Sequence, residues 1–185
     1  MNYKWKFLQT GMKSSQGECT WKKGIWKHED ELSICKYGFH CSKEINQAFS
    51  FVQGEILARV AVKGKSIIND DKECWTDMKI VKAYKWGKMD SVELAIYAAE
   101  LVIDIFEKEY PNDKRPRQAI EAAKSYVKNP TKENAYASNA ASNAAYASYA
   151  ASNAASYAAS YARKELVQKI ESWMVKRVKR LEEIV

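Results

Sequence analysis

The chain has 185 residues, of which 46% are hydrophobic and six are tryptophan, and it carries a formal net charge of +7. That length holds one domain or two small ones with a real core, and the apolar and aromatic share excludes general disorder. No stretch reaches the roughly 20 uninterrupted apolar residues of a membrane helix. The best, Leu94 to Phe106, is short and carries Glu100 and Asp104, and the opening MNYKWKFLQTG has no apolar signal core. A cytoplasmic protein without a membrane partner is expected, and its charge favours anionic partners.

The first half reads as strands and turns. YKWKFL (Tyr3–Leu8) alternates aromatic with lysine, as a half-exposed strand does. TWKKGIWKH predicts a hairpin in which Trp21 and Trp26 flank a turn at Gly24. Ser42 can cap a short helix through Ser50 that buries Ile45, Ala48 and Phe49. GEILARVAVKG (Gly54–Gly64) and MKIVKAYKW (Met78–Trp86) predict two further strands. The cysteines at 19, 35, 41 and 74 form no CxxC pair. His40 and Cys41 are neighbours that point to opposite sides of a strand, so free buried thiols are expected and no metal site. Lys13, Ser14 and Ser15 between Gly11 and Gly17 lack the order of a P-loop and read as a plain loop.

From Asp90 the period changes. Asp90 with Glu93 suggests a capping box, and Leu94, Ala98, Leu101 and Ile105 share one face of a helix over about 91–109. Pro116 opens a second, 116–128, with Ala119, Ile120, Ala123, Tyr126 and Val127 inward. Thr131 is a plausible N-cap for a third, 131–183, which unbroken would extend about 80 Å. Within it Ala137, Ala141, Ala144, Ser148, Ala151, Ala155, Ala158 and Ala162 are spaced by four and three. That is a heptad seam of small side chains, with tyrosines and asparagines opposite. Leu166, Ile170 and Trp173 continue the seam with larger groups. Alanine favours the helix and lets another backbone come close, yet buries little area per contact. The seam therefore predicts packing against the preceding helices or a second copy of the chain, and a homo-oligomer is expected.

The expected class is α+β: a mixed or antiparallel β-rich domain with one short helix over 1–88, and over 89–185 a helical bundle ending in the long alanine-rich helix. The segment CKYGFHCSKEINQAFSFVQGEILARVAV (Cys35–Val62) resembles the part of ADP-ribosyltransferase-like domains that borders an NAD pocket. That resemblance implies Gly38, Phe39, His40, Ser42 and Phe49 near a nucleotide ligand. Phe7 to Gly11 holds no His-Gly-Thr or Arg-Gly, so no catalytic residue and no cofactor is assigned. GECTWKKGIWKHEDELSICKYGFHCS through KIVKAY is similar to a domain common in phage and prophage genomes. RPRQAIEAAKSYVKNPTKEN with the Ala/Ser/Tyr repeats resembles an immunity-protein family. Together they imply a phage or mobile-element accessory protein that inhibits host defence, binding a nucleotide-like signal or a defence protein. The alternatives are an NAD-using transferase, and a nucleic-acid binder acting through Lys176, Arg177, Lys179 and Arg180.

Overall fold

In a computed structural model, which describes residues 1–16, 19–52, 54–131 and 160–185 (only the backbone for 160–163), the N-terminal half forms an antiparallel sheet and the C-terminal half is helical. The class is α+β. The chain divides into two units, Met1–Gly87 with Met174–Val185, and Lys88–Trp173.

In the first unit β1 (Asn2–Leu8) pairs with β4 (Ile56–Ile68), and β4 forms a long hairpin with β5 (Glu73–Lys85). The turn Asn69–Lys72 is rich in residues that hydrogen-bond their own backbone, and the Asn69 N–H donates to the Lys72 carbonyl at 2.9 Å. The outer edge of β5 takes β2 (Lys27–His28) and β3 (Phe39–Cys41). Just past β3, Ser42 and Trp5 exchange backbone hydrogen bonds of 2.8 and 2.9 Å. The sheet thus curls back on itself and covers the free edge of β1, which would otherwise invite pairing with another chain.

Two register shifts bend the hairpin. At the second, Gly64 has φ +82°, and a Cβ there would collide with the Thr76 and Asp77 side chains. Only glycine fits. The Thr76 hydroxyl accepts the Lys65 N–H at 3.1 Å.

One side of the sheet holds the main core: Leu8, Ala58, Val60, Val62, Met78, Ile80 and Ala83, closed over by Trp21, Cys41 and Trp75. Phe7, next to Leu8, faces the other way. It meets Phe49 of α1 (Ile45–Phe51) and Trp86 edge-on, at ring separations of 5.3 and 5.6 Å.

Several sequence expectations are corrected in this unit. α1 is capped by Glu44 in a capping box with Gln47, because Ser42 is committed to the Trp5 pairing. The 21–28 segment makes no hairpin of its own. Lys23 and Gly24 lie along β5, where the Gly24 N–H donates to the Ile80 carbonyl at 2.9 Å. In β1 the lysines, not the aromatics, share the core side with Leu8. Lys4 is buried against Glu73 at 2.5 Å, Trp75 Nε1 donates to the same carboxylate at 2.8 Å, and Lys6 donates to the His40 carbonyl at 2.9 Å. A charge pair at Lys4 and a carbonyl contact at Lys6 replace the exposed lysines that simple alternation suggests.

The second unit begins with α2 (Lys88–Glu100), whose first turn contains the buried Asp90 rather than being capped by it. The helix expected over 91–109 is broken at Leu101–Val102, with α3 running over Ile103–Glu109. Val102 leaves helical geometry at φ −123° and ψ −9°, and its carbonyl accepts the N–H groups of Ile105 and Phe106. α4 (Arg115–Lys128) has Pro116 in its first turn, where the missing N–H costs nothing. Ahead of it, Asp113 accepts three hydrogen bonds from Arg115, which hold its carboxyl down at about 2. Ala99, Ile103 and Ile120 form a small core with Ile96 against it.

The last helix, α5, spans Ser160–Val178 rather than reaching 183. After the turn at Arg180 the chain extends along β5. Lys85 donates to Glu182, Ile184 donates to Ala83, and Ala83 donates to Val185 at 2.9, 2.9 and 3.2 Å. Met174–Val185, the end of α5 and the tail after it, therefore group with the sheet unit.

Candidate functional site

The helical unit carries a groove of about 280 Å³. Helical spacing builds it: Glu93, Ile96, Tyr97 and Glu100 lie at i, i+3, i+4 and i+7 of α2, and Lys124, Val127 and Lys128 lie on one face of α4. Trp173 of α5 completes the lining, its ring stacked on Tyr97 at 5.8 Å and 21°. The floor is apolar and the rim is charged. Lys124 Nζ bonds Glu100 and Glu121, each at 2.8 Å. Hydrogen bonds to these two carboxylates, Glu100 first, raise the Lys124 pKa, and the same lysine lowers that of Glu121. Among the described residues the lining contains no histidine or cysteine, and its one hydroxyl is the Tyr97 phenol. The arrangement suits binding: aromatic anchors ringed by opposite charges are how protein partners are gripped.

The five residues expected near a nucleotide make different contacts among the described residues. Phe39 is packed against the main core, edge-on to Trp21 at 5.3 Å, whereas Phe49 sits in the separate cluster with Phe7 and Trp86. Ser42 is buried in the Trp5 pairing. Gly38 has φ +89°, and a Cβ there would lie 2.6 Å from Cys74 Sγ, so its role is to let the chain pass that thiol. His40 is pushed below its ordinary pKa, first by burial and then by Lys6 and Lys72. Its neutral ring accepts the Cys35 N–H on Nε2 at 2.9 Å. Cys41 faces the main core, and burial raises its thiol to about 12. Among the described residues no three His, Cys, Asp or Glu side chains gather as metal ligands.

Of the alanine seam, Ala137, Ala141, Ala144, Ser148, Ala151, Ala155 and Ala158 lie outside the described residues, as does the side chain of Ala162 within α5. Leu166 and Ile170 are half-buried, as is Trp173, now placed against Tyr97. Among the described side chains of α5 the wholly buried one is Met174, next to Trp173 of the predicted stripe. Sequence reading also missed Tyr97. Its aromatic ring on the polar flank of α2 was a signal, but its partner Trp173 stands 76 positions away.

The groove, apolar with a charged rim, lies in the helical unit. Residues 85–177 match the Imm-5 like putative immunity protein family, and residues 2–92 match a domain of unknown function, DUF7666. The first match spans half of the chain, and the chain belongs to that Imm-5 like family. An immunity or accessory role, with a partner protein to bind, fits this membership. No curated protein and no solved structure matches the chain. Among the described residues no helix is long and apolar enough to cross a membrane.

Proposed function

We propose that this protein is an immunity-type accessory factor that blocks a toxin or defence protein by binding it through the helical unit, without catalysis. The observation that carries the reading is the Tyr97–Trp173 stack at the floor of the groove, rimmed by Glu93, Glu100, Lys124 and Lys128. Two large rings give anchor area at little entropic cost, and rim charges select the partner. Self-association through the alanine seam belongs to the same proposal, since methyl-sized side chains admit a close second backbone. A mobile-element origin, with host defence as the target, is its biological form.

Tagged full-length protein should capture a specific protein from host lysate. Co-expression should then relieve the toxicity or activity of that protein, and Tyr97→Ala/Trp173→Ala should abolish both effects while the fold persists. Capture unchanged by the double variant would remove the groove from the mechanism. Calorimetry with NAD and other nucleotides should be silent, and heat of binding there would favour a nucleotide signal instead.

A further inference from the structure

The sheet side opposite the main core carries a line of rings and cations that the immunity reading does not use. By register Trp5 lies opposite Arg59 and Arg59 opposite Lys82, while in the next row Tyr3 lies opposite Ala61 and Ala61 opposite Lys79. Lys79 and Lys82 are three apart, yet the first register shift, which leaves Val81 as the extra residue, sets both on this side. The Arg59 guanidinium stands 4.5 Å from the Trp5 ring centroid and 5.8 Å from that of Tyr3. Lys63 and Lys79 stand 4.5 and 4.9 Å from the Trp26 ring. Tyr3 is 43% exposed, and Trp5 and Trp26 are half-buried.

Among the described residues Asp77 and Glu183 approach this face, and both have partners: Asp77 bonds His28 and Thr76, and Glu183 bonds Lys82. Arg59, Lys63 and Lys79 make no ion pair with a carboxylate among the described residues. Successive rows are two residues apart, about 6.8 Å along the strand.

We propose that this face binds single-stranded nucleic acid, with bases laid on Trp5, Tyr3 and Trp26 and phosphates on Arg59, Lys63 and Lys79. The charge complementarity is direct, and the rings decide among polyanions. An acidic protein would use the cations and leave the aromatic rings without a flat partner, and a duplex keeps its bases stacked inside. The face lies in the sheet unit and the groove in the helical unit, so each has its own variants.

The test is fluorescence anisotropy of the full chain with a labelled oligothymidylate, a duplex of equal length and poly-glutamate. The single strand should bind best, and three phosphate contacts should make it about twentyfold weaker on going from about 50 to about 200 mM salt. Lys63→Gln/Lys79→Gln, mild surface changes, should weaken binding at least about fivefold and flatten the salt dependence by roughly 1.4 in logarithmic slope. Trp26→Leu should weaken it while leaving that slope unchanged. Reversing Lys176, Lys179 and Arg180 to glutamate should have little effect. No binding at the lower salt, equal binding of poly-glutamate or of duplex, or loss only with the C-terminal reversal would each overturn the proposal.

Discussion

The two units are stabilised in contrasting ways. In the sheet unit large side chains are enclosed from both sides: the Leu8–Val60–Ile80 core on one, the Phe7–Phe49–Trp86 cluster on the other. Its strands are joined through pairings far apart in sequence. Among its described residues the helical unit has a core of Ala99, Ile103 and Ile120 and a surface tied by exposed ion pairs such as Arg117 with Glu107 and Asp104. The difference teaches that area and polarity are divided by task. The sheet unit buries enough apolar surface to stand as a scaffold. The helical unit holds two rings, Tyr97 and Trp173, at its groove, where on the binding proposal a partner would cover them.

The largest way to break this contrast is Trp86→Ala. Removing a ring that is 1% exposed should cost about 3–5 kcal/mol in chemical denaturation, and a smaller loss would show that the aromatic cluster is dispensable. Nearly as large, Glu73→Ala should cost roughly 3 kcal/mol by leaving Lys4 buried without its partner, whereas Lys4→Met/Glu73→Leu should recover most of it. Ile120→Ala in the helical unit should cost about 2 kcal/mol, toward the low end for such truncations because the small core there can collapse. If it instead exceeds the Trp86 effect, the ranking of the two units is reversed.

Thiol labelling sharpens the comparison, because all four cysteines lie in the sheet unit. Exposed Cys35 should react at once, half-buried Cys19 more slowly, and Cys41, held near 12 by burial, only when the sheet opens. Labelling of Cys41 should thus follow Trp86→Ala and ignore Ile120→Ala. The smallest effect concerns His28, whose pKa is raised by hydrogen bonds to Asp30 and Asp77. Its contribution is fully present below the ordinary histidine value and disappears as pH rises through the raised one. His28→Asn should remove that slight alkaline decline in melting temperature.

How legible was this in the sequence? β1, β4 and β5 were readable because each carries alternation or a continuous β-branched run, and α4 because Pro116 and Asn129-Pro130 mark its ends. The break at Leu101–Val102 was not, since the apolar face runs on through it. The inward lysines of β1 were not either: alternation gives two faces, and only Glu73 and the His40 carbonyl, distant in sequence, decide which one is core. Trp173 was singled out for packing, but its partner Tyr97 and the groove depend on helix placement that periodicity does not specify. The contacts of the stretch Gly38 to Phe49 were not legible either, since Phe39 meets Trp21 and Phe49 meets Phe7 and Trp86, partners distant in sequence.

The strand-like tail has a practical corollary. Glu182 to Val185 occupy backbone donors and acceptors of Ala83 and Lys85 that would otherwise lie bare at the rim of β5. Removing Glu182 to Val185 would uncover an adhesive border, through which two molecules could zip together.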